Sequence, residues 1–214
     1  MRKHERAVLA PWIELAEQAE AQEGEGRNHL VRMSRMASCL TNALAQREQH
    51  RAILTPGRIR ILSLAIQLHD IGKLDIPVSI LHKPAALTAD EFRIVQTHAE
   101  AGAKRLEAAL RTHPGHPVLE AGVVIARHHH EQWRGGGYPD GLDGEAIPLE
   151  ARIAAVVDVY EALRTNRAHR RAFPHRLSID IMMSEKGRQF DPDIVDTLAA
   201  IESRFAAIRR RLPG

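Results

Sequence analysis

The sequence predicts an all-α protein. Apolar residues recur at helical spacing through most of the 214 residues, and no run of alternating β-branched residues argues for a sheet. Capping and proline signals divide the chain into helices of ordinary length. A chain of this size can bury one sizeable core.

Glu5 to Gln22 reads as an amphipathic helix, followed by a short polar break. His29 to about Arg47 reads as a second. Pro56 opens a third, in which Ile59, Ile61, Leu62, Leu64, Ala65, Ile66 and Leu68 lie nearly all round the axis. A helix apolar on every side is a buried one, and this one runs straight into His69-Asp70. Residues 71 to 87, with Gly72, Pro77 and Pro84, read as a loop. Thr88 and Glu91 have capping-box spacing, in which each side chain can bond the other's backbone amide, so a helix starts there. Another is expected from about Glu100 to Arg111, and one from Pro117 into His128-His129-His130. The glycine- and proline-rich segment 133–148 is a loop, and Leu149 to Thr165 is again helical. Asp191-Pro192, an N-cap followed by proline at the first helical position, starts a last helix to about Arg211. Residues 1–24 are expected to be an N-terminal helix or linker, and residues 25–214 one helical domain.

Composition narrows the function classes. Hydrophobic residues make up 44% and charged residues 27%, as in soluble globular proteins. No apolar run approaches the ~18 residues that span a bilayer. The N-terminus lacks the basic start and apolar stretch of a signal peptide. A lone cysteine, Cys39, allows no intrachain disulfide and reads as a small buried filler. Together these point to the cytoplasm and away from a membrane. A formal charge of +3 is too small for a DNA-coating protein. The basic clusters Arg2, Lys3, Arg6 and Arg209 to Arg211 read as solvated surface. The unusual count is 13 histidines.

The strongest local feature is His69-Asp70-Ile71-Gly72-Lys73. An imidazole and a carboxylate at the end of a dry helix are costly to bury unless something satisfies them. A divalent metal does so, and Asp70 has two oxygens that can bridge two ions. Lys73, three residues on, reaches the same side if the turn continues, bringing a positive charge for a phosphate. A structural alternative is that His69 ends a helix and Asp70 caps the next turn. Further features favour the metal: His98 among apolar neighbours, His129-His130 leading into a glycine loop, Asp158 inside an apolar helix, and Glu25 and His29 four residues apart. These are ligands for Mn, Fe or Zn rather than a thiolate site.

His69-Asp70 with His98, His129-His130-Glu131, Gly137-Tyr138-Pro139 and Asp158 closely resembles the HD-GYP family of the HD phosphohydrolase superfamily. The resemblance runs through HDIGKLDIP, ILHKP, LTADEF, THAEAG, HHEQWRGGGYPDGLDGEAIPLEARI and GRQFDP, from about Glu25 to Ala200. It implies an HD-type helical bundle with the metal site between helices. The implied activity is a phosphodiesterase opening cyclic di-GMP to linear pGpG and onward to GMP, or acting on cyclic GMP-AMP. The implied ligands of two or three Fe or Mn ions are His29, His69, Asp70, His98, His129, His130 and Asp158, with Glu25 for a third ion. His69, Asp70 and Lys73 are the implied catalytic centre, and Lys73, Tyr138, Arg167 and Arg170 the substrate contacts. His128 is left over and reads as structural. His4, His50, His82, His113, His116, His169 and His175 fall on no motif and are expected on surface or loops. The resemblance also implies engagement of a diguanylate cyclase domain through the Gly-Tyr-Pro surface, and admits a homodimer.

Physically, such metals make hydroxide available near neutral pH, and Lys73 adds charge stabilisation. Arg167 and Arg170 suit a second phosphate, because a guanidinium fork matches phosphate geometry. Gly135, Gly136, Gly137 and Gly141 give the Tyr138 loop its backbone freedom, although Gly141 also fits a plain solvated connection. The chain departs from the family at Arg134 and Glu161, where aspartate is usual, at Ala168-His169, where Pro-Tyr is usual, and in the Gly26-Arg27-Asn28 lead to His29. These bear on substrate preference. The competing expectations are a binding module that turns over poorly, and a hydrolase of another nucleotide.

Overall fold

A computed structural model of the chain describes residues 3–22, 24–166 and 170–213, with side chains from Ala7 onward. Arg167 and His169, two of the sequence-predicted positions, lie outside the described residues, as do Arg2 and the side chains of His4 and the N-terminal basic cluster. The described residues form an all-helical bundle with no strand, only an isolated bridge between Lys186 and Phe190.

The elements are α1 (Lys3–Ala21), α2 (Arg27–Leu44), α3 (Glu48–Arg51), α4 (Pro56–Ala65), α5 (Val78–Leu81), α6 (Ala89–Thr112), α7 (Pro117–His128), α8 (Leu149–Leu163), α9 (His175–Ser184), α10 (Pro192–Ala200) and α11 (Glu202–Arg211). Helix α2 lies at the centre, packed on α4, α8, α10 and α11. It buries Leu30, Met33, Met36, Ala37, Leu40 and Leu44, a helical stripe wide enough to meet neighbours on several sides. Leu9 and Ala16 of α1 join the same core, and α1 packs on the short turns that follow α4. Cys39 packs half-buried against the core, where burial raises its thiol pKa, as a filler residue should.

Several boundaries differ from the sequence expectation. Helix α4 ends at Ala65, and the chain reaches His69 through a tighter 3-10 turn, Ile66–Leu68. Residues 71 to 87 are not plain loop: a second 3-10 turn, Ile71–Asp75, and α5 lie within them. The capping box forms in full, with Thr88 Oγ1 accepting from Glu91 N and the Glu91 carboxylate accepting from Thr88 N. No break follows near Glu100, because Gly102 sits inside continuous α6 where the chain at Gly72 packs against it. Helix α9 was not expected. The expected last helix is two, α10 and α11, bent at Ile201 so that Phe205 turns into the core.

His50 is also buried, with Nε2 3.7 Å from Asp193 Oδ2, rather than on the surface.

Candidate metal centre

Five elements deliver their polar residues to one place. The turn after α4 brings His69 and Asp70, α6 brings His98, the end of α7 brings His129 and His130, α8 brings Asp158, and the first turn of α2 brings His29. Asp70 is the hub. Its Oδ1 lies 3.1 Å from His98 Nε2 and 3.5 Å from His129 Nε2, and its Oδ2 lies 3.1 Å from His69 Nε2 and 2.7 Å from Lys73 Nζ. Two groups have donor atoms all within 4.8 Å of one another: Asp70, His98, His129 and His130, and Glu20, His29 and His69. Asp158 Oδ1 stands 3.8 Å from His69 Nε2, beside the second of these groups.

The backbone sets the ring orientations. His69 Nδ1 lies 3.1 Å from Ile66 O, His98 Nδ1 2.6 Å from Val95 O, and His129 Nδ1 3.0 Å from Ile125 O. A carbonyl only accepts, so in the neutral ring each Nδ1 carries the proton and each Nε2 turns its lone pair inward. Those three Nε2 atoms, with Asp70 Oδ1, are buried and lack a hydrogen-bond partner. Four buried donor atoms converging without a hydrogen-bond partner fit divalent cations.

The local electrostatics show the pull of the surrounding carboxylates on positive charge. Burial works against a charged His69, yet Asp70, Glu20 and Asp158 together raise its pKa to about 9. Burial likewise opposes ionised Asp70, but His69 and Lys73 hold its carboxyl well below the ordinary range. His130 is pushed far down, by burial first and by His129 and His98 next, which keeps it neutral.

Of the predicted site residues, His29, His69, Asp70, Lys73, His98, His129, His130 and Asp158 come together as described. Glu25 lies beside His29: its Oε2 is 3.8 Å from the unpartnered His29 Nδ1 and 3.9 Å from Arg32 Nη2. Tyr138 lies over the site, its ring stacked on His130 at 4.7 Å between centroids, and half-exposed Phe92 meets its edge. Arg170 is held at the end of α8, donating to Ala162 O at 2.6 Å and lying over Phe173. His128 is structural, with Nε2 3.0 Å from Asp140 Oδ2. The residues that sequence reasoning did not assign are Glu20, Glu131 and Glu161. Glu20 carries no motif signal, since it reaches the site only because α1 folds back on it.

Glu131 anchors the glycine loop. Its Oε1 accepts from Asp140 N at 2.8 Å and from Gly141 N at 3.1 Å. Gly141 has φ +67°, a left-handed conformation that glycine adopts freely, so it belongs to the built loop rather than to a plain solvated connection. The loop is also tied to the turn 185–190 by Trp133 N to Gln189 O and Arg134 N to Arg188 O. That turn is the GRQFDP motif, and Asp191 within it caps α10 and binds Arg152 at 2.7 Å. Glu131→Ala removes both loop bonds. The expected result is faster proteolytic cleavage within 133–148 and a KM raised about tenfold, the equivalent of one charge-assisted hydrogen bond, with kcat changed less. Unchanged cleavage and KM would refute the anchoring role.

Glu161, fully buried, bridges two arginines: Arg32 Nε donates to Oε2 at 2.6 Å and Arg209 Nη1 to Oε1 at 2.9 Å. Its Oε2 also faces His29 Nδ1 at 3.5 Å. Burial would raise the Glu161 pKa, but His29, Arg32 and Arg209 carry it below its ordinary 4.5. A depressed folded pKa stabilises above the unfolded value, and that stabilisation is lost as pH falls through the folded value. Glu161→Gln is therefore expected to cost about 2 kcal/mol at neutral pH. The deficit should shrink as the pH drops below about 4.5. Urea titrations at several pH values check this, and a pH-independent deficit would contradict it.

Comparison with known proteins agrees with this architecture. The HD domain family matches residues 20–194. A cyclic di-GMP phosphodiesterase of Vibrio cholerae is 39% identical over 92% of this chain and 40% of its own length. A 3'3'-cGAMP-specific phosphodiesterase 2 of the same organism is 35% identical over 93% of this chain and 36% of its own. The chain thus spans about two fifths of the length of these relatives. Among solved structures, Bd1817, an HDG"Y"P protein from Bdellovibrio bacteriovorus, superposes with a TM-score of 0.59 at 20% identity, over 80% of this chain and 51% of that one. No helix among the described residues is long and apolar enough to cross a membrane. With its histidine and aspartate donors converging between helices under a Gly-Tyr-Pro loop, the chain belongs to the HD domain family and, within it, to the HD-GYP type.

Proposed function

We propose that this chain is a metal-dependent phosphodiesterase that opens cyclic di-GMP to linear pGpG and carries it onward to GMP. The observation that carries the reading is the convergence of three partnerless Nε2 atoms and one partnerless Asp70 oxygen in a buried space beside a lysine. The ligands proposed are His29, His69, Asp70, His98, His129, His130 and Asp158, with Glu25 for a third ion, holding two or three ions of iron or manganese. Divalent ions there would supply Lewis acidity, lowering the pKa of water and neutralising phosphoryl charge.

The chain's own groups do the rest. Lys73, mostly buried 2.7 Å from Asp70 Oδ2, keeps a fixed positive charge where phosphoryl oxygens would gather. Tyr138 covers His130 and excludes water from that side. Its hydroxyl stays protonated across the working range, because burial first and then Asp70 and Asp158 raise its pKa. It can therefore donate a hydrogen bond to a phosphate or a base. Arg167 and Arg170 are proposed for the second phosphate; Arg170 would have to leave Ala162 O to reach it.

The relative named for 3'3'-cGAMP supports a second substrate, cyclic GMP-AMP, through the same site. Docking of a diguanylate cyclase domain on the Gly-Tyr-Pro loop, a homodimer and a cytoplasmic location are proposed on the family resemblance and composition. Protein reconstituted anaerobically with iron or manganese should produce pGpG and GMP from cyclic di-GMP. Chelation should abolish the reaction. No product from either cyclic dinucleotide would sink the reading, and tight binding without product would favour a binding module instead.

A further inference from the structure

We propose that Phe92, near the start of α6, is the platform on which a purine base of the nucleotide substrate stacks. Such a role rests on the reading of this chain as a cyclic dinucleotide hydrolase and adds a base contact to it. Its basis is an aromatic side chain left open to solvent at the rim of the metal centre. Phe92 is 47% exposed, whereas Phe190 and Phe205 are buried in the core. Its ring stands at 85° to that of Tyr138, with centroids 6.4 Å apart. Tyr138 in turn stacks on His130 at 4.7 Å. Two ring contacts therefore lead from the metal centre out to Phe92.

The reach fits a nucleotide. Phe92 precedes His98 by six residues on α6, a rise of about 9 Å along the helix axis. A phosphate held beside Asp70 and Lys73 leaves its ribose and base to extend outward over that span. One face of Tyr138 is taken by His130, so Phe92 supplies the open aromatic area. An exposed ring gains by covering its face, and every base offers a π-face to cover it.

Phe92 is also the fourth residue after the cap Thr88, where a hydrophobic staple with Leu87 would place an apolar side chain. A staple contributes to helix stability. It does not account for the contact with Tyr138, nor for a ring that stays half open.

Binding separates these roles without any turnover. Manganese-loaded wild type, Phe92→Ala, Phe92→Leu and Phe92→Trp are titrated calorimetrically with GMP and with ribose 5-phosphate, which lacks the base. Metal content and thermal melting of each variant check the centre and the fold. Phe92→Ala is expected to weaken GMP about tenfold, as loss of one stacked base does, and to leave ribose 5-phosphate unchanged. Phe92→Leu, which keeps an apolar staple, should lose nearly as much, and Phe92→Trp should restore wild-type affinity. In turnover, Phe92→Ala should raise KM for cyclic di-GMP and cyclic GMP-AMP by the same factor, because stacking does not read base edges. Unchanged GMP affinity in Phe92→Ala would overturn the assignment. So would equal weakening of both ligands, full rescue by leucine, or a wild type that binds GMP no better than ribose 5-phosphate. A wild type that selects GMP through Phe92 yet forms no product would remove the proposed hydrolysis and leave the platform standing.

Discussion

Asp70→Asn is expected to abolish metal retention and to lower kcat on cyclic di-GMP by at least about 10³-fold. Asparagine has the same shape but one lone-pair face fewer and no charge. Asp70 faces four cationic or lone-pair groups at once: Lys73 at 2.7 Å, His69 and His98 at 3.1 Å, and His129 at 3.5 Å. A neutral amide turned toward one of them presents its NH₂ to another. Metal-free protein should suffer as well, because the carboxylate there offsets the buried positive charge of Lys73 and is the foremost of the three carboxylates that raise the His69 pKa against burial. Removing one side of such a buried arrangement costs roughly 3 kcal/mol. In a chain of this size that lowers Tm by roughly 6–12 °C. Metal analysis, product formation and melting of the metal-free protein measure the three effects. Wild-type metal content in Asp70→Asn would remove Asp70 from the ligand set.

The second large effect is expected at Gly72, which touches no ligand. Its Cα faces the backbone of α6 so closely that an added Cβ would collide with His98 O and Gly102 N. Both are backbone atoms and cannot rotate away. Gly72→Ala must push the turn Ile71–Asp75 off α6, separating Asp70 and Lys73 from His98. A cost of at least about 3 kcal/mol is expected, above the usual range for overpacking because backbone meets backbone. Metal affinity should fall with it. Gly102→Ala is the control, since its Cβ would meet Gly72 N at 3.2 Å, Ala126 Cβ at 3.3 Å and Ile71 Cγ2 at 3.4 Å, contacts that small shifts relieve. If both substitutions prove equally mild, the close approach at Gly72 is not what seats Asp70.

Helix starts were the most readable part of the fold, because capping chemistry is local. Thr88 with Glu91 and Asp191 with Pro192 form in space the bonds their spacing promised. Helix ends and joins were less readable. The apparent break before Glu100 vanished into α6, since tolerance of Gly102 inside a helix depends on Gly72 from another segment. The bend at Ile201 was hidden for a similar reason: it exists so that Phe205 can reach the core.

The ligand types were legible because a histidine or aspartate in an apolar run is a physical anomaly wherever it is read. His69, Asp70, His98, His129, His130 and Asp158 all stood out that way, and they meet. What a one-dimensional reading lacked was direction. Glu25 sits four residues before His29 and stands beside its Nδ1. Glu20, nine residues before His29 with no motif around it, approaches Nε2 because α1 folds back across the turns that follow α4.

The sequence alone therefore determined the family, the helical class and most of the donor residues, all properties that residue type and spacing carry. The tertiary structure decided which ring nitrogens of His69, His98 and His129 face the centre, that Glu20 stands beside it, and that Asp70 is its hub. Those depend on where backbone carbonyls and distant helices stand around a side chain, and that information exists only once the chain has packed.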